Sequence, residues 1–335
     1  MWAFDASFDV SHGDGETQVK GAAMSVDDFV SELSAHADVT GSAALRPIID
    51  GLARPLRVAT TGRPGVGRRT LTAALRAAGV TITDTRPDVE VLVIAEAAKP
   101  EDCRAAHTVD GPVVIALNKA DLLGAALPDH IGAVRRITGV PVIAVSALLA
   151  TATLDRALVD ALRVLAVEPA DLSSADAFCA VGHSVDTTTR ARLLSVVDLP
   201  GVAESIAAVD AGADRRALTA LLHRLSNIDA VLTGVRAAGA PLRYRRLCAS
   251  MTRLRALAVR TDDQQLDALL TGSTAVRAAA DAAVEVMDAD GLEAGPEDPL
   301  RRAVHWQRYS RGPVNALHRR CGADIARGAL RSGAW

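Results

Sequence analysis

The stretch Gly62-Arg63-Pro64-Gly65-Val66-Gly67-Arg68-Arg69-Thr70-Leu71 decides how the first half of this chain is read. It follows an apolar run, Leu56 to Thr61, that predicts a strand. It opens onto an alanine-rich run, Thr70 to Ala78, that predicts a helix. A glycine turn between strand and helix brings backbone N–H groups and the helix N-terminus to one point, which suits a phosphate. The full motif for that chemistry is G-x-x-x-x-G-K-[ST]. Arg68 stands in the lysine position and Arg69 in the position of the magnesium-binding hydroxyl. The fold signal is intact and the catalytic signal is damaged.

Residues Val113 to Asp121 read Val-Val-Ile-Ala-Leu-Asn-Lys-Ala-Asp, a buried-strand pattern ending in Asn118-Lys119-x-Asp121. At the end of a parallel strand, the Asp121 carboxylate can accept the N1–H and exocyclic amine of guanine together. Asn118 is expected to meet the O6/N7 edge, and the Lys119 stem to cover base and ribose. Adenine presents an acceptor at N1 and would leave the carboxylate unpaired, so the pattern selects guanine. A further apolar run, Val140 to Val145, ends in Ser146-Ala147. The chain has only 3 lysines against 34 arginines, so a lysine falling inside this motif is a poor candidate for coincidence.

Taken in order, GRPxVGxxTL, NKxD and SA resemble the Era-like branch of P-loop GTPases over roughly residues 55–150. The approach Leu45 to Leu56 (LRPIIDGLARPL) is similar to actinobacterial dynamin-like GTPases, as are Leu225 to Asp229 (LSNID) and the run Arg243 to Leu257. The resemblance implies a mainly parallel sheet flanked by helices, then a helical domain. It also implies a nucleotide site at Gly62, Gly65, Gly67, Arg68, Arg69, Thr70, Asn118, Lys119, Asp121, Ser146 and Ala147. In that family the Ser-Ala segment supplies a backbone N–H to guanine O6, and the Thr70 position contacts the α-phosphate.

The departures carry as much weight. Between Thr70 and Asp84 there is room for one helix and one strand, Gly79 to Asp84, and none for a switch I insert. The D-x-x-G of switch II is replaced by Asp84-Thr85-Arg86-Pro87, and Pro87 has no N–H to offer a γ-phosphate. A guanidinium ~4 Å from a divalent ion costs several kcal/mol at an effective dielectric of ~20, so Arg69 makes magnesium doubtful. Arg68 can bind phosphate, although its planar fork does not fit a lysine's slot. Hydrolysis requires metal, γ-phosphate sensing and a positioned water. A later match to D-x-x-G, Asp198-Leu199-Pro200-Gly201, follows the guanine motifs in the wrong order and reads as a turn between helices.

The remaining sequence sets the outer limits. A length of 335 residues accommodates two domains, and a net charge of −3 gives no general case for nucleic acid. Four cysteines without a CxxC pair argue for a reducing cytoplasm rather than zinc or disulfides. No apolar run approaches the ~20 residues of a membrane span. Residues 1–24 are expected to be mobile, 25–150 to form the GTPase-like domain, and 151–335 a helical domain. Ser25 is expected to cap the first helix, with Phe29, Val30 and Leu33 on one face. Strands are expected at 56–61, 80–84, 89–95, 112–118 and 140–146. The link between the second and third is too short for a crossover helix, so these two are either antiparallel or separated in the sheet. Helix breaks are expected near Pro169, Pro200–Gly201, Gly239–Pro241 and Gly291–Pro299. The last 35 residues are rich in arginine, including Arg301, Arg308, Arg311 and Arg319. Such a tail suits an anionic membrane surface or an acidic partner, and nucleic acid less well; alternatively its arginines solvate one helix face or pair with the acidic loop 289–299 just upstream. These features describe a catalytically impaired GTPase-like regulator or assembly partner of, for example, an active paralogue, with GDP or GTP as the candidate ligands. An active dynamin-like GTPase and a nucleotide-free scaffold are the alternatives.

Overall fold

The structure, a computed structural model, describes residues 12–332, with side chains from Val26 onward. The expectation of mobility for the first eleven residues therefore lies outside the described residues. The elements, in chain order, are α1 (His12–Thr40), α2 (Arg46–Ala53), β1 (Arg57–Thr61), α3 (Arg68–Ala77), β2 (Thr81–Ile82), β3 (Val89–Ala95) and α4 (Pro100–Thr108). Then come β4 (Val113–Asn118), α5 (Leu127–Thr138), β5 (Val142–Val145), α6 (Ala147–Ala150), α7 (Arg156–Val167), α8 (Ala175–Phe178) and α9 (Thr187–Asp210). The chain closes with α10 (Arg215–Ser226), α11 (Ile228–Thr261), α12 (Gln264–Thr271), α13 (Ser273–Ala289), α14 (Pro299–Arg311) and α15 (Ala316–Ser332). The protein is thus α/β, with a parallel sheet flanked by helices and a large helical C-terminal region.

The sheet has the order β2-β1-β3-β4-β5, and every pairing is parallel. Its strands read as continuous apolar runs because both faces are covered. On one face Val58, Val91, Val93, Val114 and Val145 pack with Leu71 and Leu75 of α3 and with Ile228, Val231 and Val235. On the other, Leu92, Ile94, Ile115 and Leu117 pack with Ala106 of α4 and Val134 of α5. The period of two along β3 and β4 sends alternate residues to these two cores.

The short link between β2 and β3 is resolved by separation, not by antiparallel pairing. β2 is only two residues long, with Ile82 level with Val58 of β1, and Val89 of β3 is level with the same residue on the other side. The chain therefore passes under the start of β1, and six residues suffice without a helix.

The chain divides into two compact units, one spanning Leu56–Ala238 and the other built from the segments on either side of it. This differs from the expected boundary near residue 150. In the first unit, the helices after β5 remain with the sheet: Ser226 accepts from the Ser146 N–H at 2.9 Å, and a Cβ on Gly234 would sit 2.3 Å from Ile143. In the second, α1 places Phe29, Leu33 and Ala37 in one core with Leu254, Leu266, Leu270 and Ala278. His36 adds a 2.7 Å contact to Asp263, the cap of α12. The leading helix was expected to belong with the glycine loop, yet its apolar stripe finds its partners among the last five helices.

Two helix boundaries also differ. Helix α1 begins at His12 rather than Ser25, since the stretch between contains no proline and several good helix formers. Helix α11 runs through the expected break at Gly239–Pro241, because one proline removes one rung of the ladder and the remaining turns persist. Asp198 does interrupt α9, with φ 58° and ψ 174°, and Gly201 just after it packs against Leu149 in a satellite helical core.

Candidate functional site

Parallel strands bring the loops that follow β1, β4 and β5 to one edge of the sheet. The chain leaves β1 toward β2 on one side and β3 on the other, so the strand order reverses beside β1. In open α/β sheets, ligands bind in the crevice at such a point, outside the carboxyl ends of the strands. The segments Gly62–Thr70, Asn118–Asp121 and Ser146–Ala147 all lie at that edge.

The route of the glycine loop follows from register. Thr61, the last residue of β1, is level with Leu92, whereas β3 and β4 continue until Ala95 and Asn118, which are level with each other and with Val145. To reach β4 the loop must cross the end of β3. It does so at Gly62, with φ 141°, where a Cβ would stand 2.3 Å from the Val93 carbonyl oxygen. It then arrives at Asn118: a Cβ on Gly67, with φ 84°, would lie 2.2 Å from Asn118 Nδ2. Gly62 and Gly67 are required for close approach, whereas Gly65 faces open space and is required only for its φ of 85°.

Two side chains tie the loop down. Asn118, buried at the end of β4, donates from Nδ2 to the Val66 carbonyl at 2.8 Å and accepts the Ala147 N–H on Oδ1 at 2.9 Å. Arg63 donates from Nε to both carboxylate oxygens of the buried Asp102, at 2.9 and 3.0 Å. Asp102 also accepts the Lys99 N–H at the start of α4. That hydrogen bond to Asp102 holds the Arg63 guanidinium above its ordinary pKa.

These contacts show what the fold itself asks of two of the expected site residues. Both polar atoms of Asn118 have protein partners, so it organises the loop; Nδ2 spends one of its two hydrogens on Val66 in doing so. The Ala147 N–H, expected to reach guanine O6, is bonded to Asn118, and the Ser146 N–H to Ser226. The expectation stands differently for Asp121. The chain turns at Lys119, with φ 59°, into a short 3-10 turn that carries Asp121, and its Oδ1 is buried with no hydrogen-bond partner. Lys119, Arg68 and Arg69 are exposed, Thr70 is half-buried, and Ser146 and Ala147 are buried. Helix α3 begins at Arg68 with Gly67 as its cap, and its first backbone bond within the fold is Leu71 N–H to Gly67 O. The N–H groups of Arg68, Arg69 and Thr70 therefore precede the helical ladder.

The segment in the switch II position lies elsewhere. After Ile82 the chain turns back to the start of β1, where the Arg57 N–H donates to Asp88 at 2.9 Å. The Arg57 guanidinium donates to Thr83 Oγ1 and Thr85 O, both at 2.7 Å. Asp84–Pro87 is thereby held at the amino end of β1, the edge opposite the glycine loop. Sequence reasoning missed both the Arg57 clamp and the Arg63–Asp102 pair, since neither spacing nor composition links residues that only register brings together.

No protein-family model matches this chain, and no curated protein matches it either. Among the described residues no cluster of three or more His, Cys, Asp or Glu side chains is placed to hold a metal ion, and no helix is long and apolar enough to cross a membrane.

Proposed function

We propose that Leu56–Ala238 is a guanine-nucleotide-binding domain that has lost the means of hydrolysis, and that the protein acts as a regulator or assembly partner of GTPase-like type. The observation that carries this reading is the buried, unpartnered Oδ1 of Asp121 beside a glycine loop at the reversal point of the sheet. A buried carboxylate oxygen without a donor costs about 1–3 kcal/mol or more, and the paired N–H donors of guanine are a chemically suitable partner. Loop amides at the start of α3, with Arg68, Arg69 and Thr70, offer a diphosphate its contacts.

The donor set fits guanine and a diphosphate, and it does not fit magnesium. Arg69 occupies the hydroxyl position, and the Asp84–Pro87 turn is held at the wrong edge to sense a γ-phosphate. No hydrolytic step is assigned to these residues. Base discrimination falls chiefly on Asp121, whose Oδ1 has no protein donor.

Saturation-transfer NMR and calorimetric titration with GDP, IDP and ADP test the reading. GDP should bind best, IDP more weakly for want of the 2-amino group, and ADP not at all, with no loss on adding EDTA. Asp121→Ala should abolish the GDP signal, and multiple-turnover hydrolysis of GTP should stay at background. Equal binding of GDP and ADP, or turnover removed by Asp121→Ala, would refute it.

A further inference from the structure

Helix α14 carries a face that no described residue covers. Leu300 and Val304 are 64% and 43% exposed although both are apolar. With Arg301, His305, Arg308 and Tyr309 they line a surface hollow of about 570 Å³. Steps of three and four residues place this set on one side of the helix, while Ala303, Trp306 and Ser310 are buried on the other. The floor is fixed: Tyr309 Oη contacts His318 Nδ1 at 2.7 Å, and His318 Nε2 contacts Asp290 at 2.6 Å. Helix α14 contains no acidic residue, and the guanidinium groups of Arg301 and Arg308 have no carboxylate partner among the described residues. The result is an apolar strip edged with uncompensated positive charge.

We propose that this face is the docking site of the chain's own first eleven residues, Met-Trp-Ala-Phe-Asp-Ala-Ser-Phe-Asp-Val-Ser. The chemistry is complementary. In a chain with only 3% aromatic residues, this segment holds Trp2, Phe4 and Phe8, and it carries Asp5 and Asp9 with no lysine or arginine before Lys20. Phe4 and Phe8, and Asp5 and Asp9, repeat at the four-residue spacing of Leu300 and Val304, and of Arg301 and His305. Aromatic rings on the apolar strip and carboxylates on the guanidinium groups satisfy both halves of the pattern. Helix α1, into which the segment leads, and α14 belong to the same compact unit, and Asp9 and Asp5 stand three and seven residues before His12, a reach of about 10 and 25 Å of extended chain. A short tether raises the effective concentration of the segment into the millimolar range, so a weak contact suffices.

Zero-length carbodiimide cross-linking of the full-length chain tests this. Arg308→Lys keeps the charge and supplies an amine that can form an amide with a neighbouring carboxylate. Mass spectrometry of the monomer band should find position 308 joined to Asp5 or Asp9. The yield should fall several-fold in 0.5 M salt, where the screening length is short, and vanish in Asp5→Asn/Asp9→Asn. Hydrogen exchange across residues 299–311 provides a readout without that substitution, and Phe4→Ser/Phe8→Ser should speed it several-fold. Cross-links confined to a covalent dimer would assign the face to a second copy and overturn the proposal. So would exchange that is unchanged in the Phe4/Phe8 variant. Protection that appears only on adding anionic vesicles or an acidic peptide would transfer the face to that partner.

Discussion

Truncating Asn118 to alanine removes both bonds that join the glycine loop to the segment after β5. The Val66 carbonyl and the Ala147 N–H are then left unpaired in residues that are 3% and 0% exposed. Each stranded group costs about 1–3 kcal/mol, so the pair should destabilise the sheet-containing unit by about 2–6 kcal/mol. For a unit of this size each kcal/mol shifts Tm by roughly 2–4 °C, which gives a fall of about 8–16 °C at the middle of that range. The three tryptophans offer an internal control. Trp306 belongs to the helical unit, and Trp2 and Trp335 also lie outside Leu56–Ala238 in sequence. Calorimetry should show the transition of the sheet-containing unit moving down while the tryptophan-detected transition stays within ~2 °C. Asn118→Asp should be no milder, because it keeps the acceptor for Ala147 but sets a carboxylate against the Val66 carbonyl. A shift below ~2 °C in Asn118→Ala would refute the argument that this side chain holds the loop.

Three further outcomes follow from the same geometry. Gly62→Ala should be the most damaging of the loop substitutions, since its Cβ meets backbone; Gly67→Ala should come next, meeting the Asn118 side chain; Gly65→Ala should cost only about 1–2 kcal/mol for its positive φ. Urea unfolding ranks them, and equal losses at Gly62 and Gly65 would contradict the close approach over β3. The double variant Arg68→Lys/Arg69→Ser should bind GDP more tightly with magnesium than the native chain does, without gaining hydrolysis; calorimetric titration giving unchanged or weaker affinity would show that the loop backbone closes the site. Acid stability depends on helix caps. Asp155 is lowered below the usual carboxylate range by the Leu158 N–H and then Arg192, Asp186 by the Thr189 hydroxyl and N–H, and Asp263 chiefly by the Leu266 N–H. These groups bind fewer protons when folded, so their contribution is complete above an ordinary Asp pKa of ~3.9 and is lost as pH falls through their lowered values. Thermal melts should be level from pH 7 to 5 and drop below 4. An Asp155→Asn/Asp186→Asn variant with an identical acid drop would contradict this.

The class of fold was legible because it is written in local signals. Each strand was an apolar run, and the longer ones are buried on both faces, so Val91 and Leu92 could be read as strand before either core was known. Glycine at 62 and 67 marked a turn with positive φ, and the structure adds what each one avoids: the Val93 carbonyl and the Asn118 amide. The division into units was not legible, because Phe29, Leu33 and Ala37 announce an apolar stripe without naming the core that receives it. A helix face with that spacing packs as readily on a neighbouring sheet as on helices more than 200 residues later, and only the tertiary contacts decide.

The same limit explains the candidate site. Asn118 and Asp121 enter the sequence as one motif, yet register separates their work. Asn118 ends β4 level with Ala95 and Val145, so its amide lies between the loop crossing from β1 and the segment leaving β5, and both of its polar atoms find backbone there. Asp121 sits within a 3-10 turn that follows a left-handed residue, which carries its carboxylate past those partners and leaves one oxygen buried without a donor. A motif gives residue types and spacing; which atoms the fold itself consumes, and which it leaves for a ligand, depends on strand order. Here a two-residue β2 and a six-residue link keep Asp84–Pro87 at the amino end of β1, away from the edge that carries the glycine loop. The same short link thus leaves the carboxyl edge to Asp121 and the glycine loop, which is the arrangement the proposed base-binding role requires.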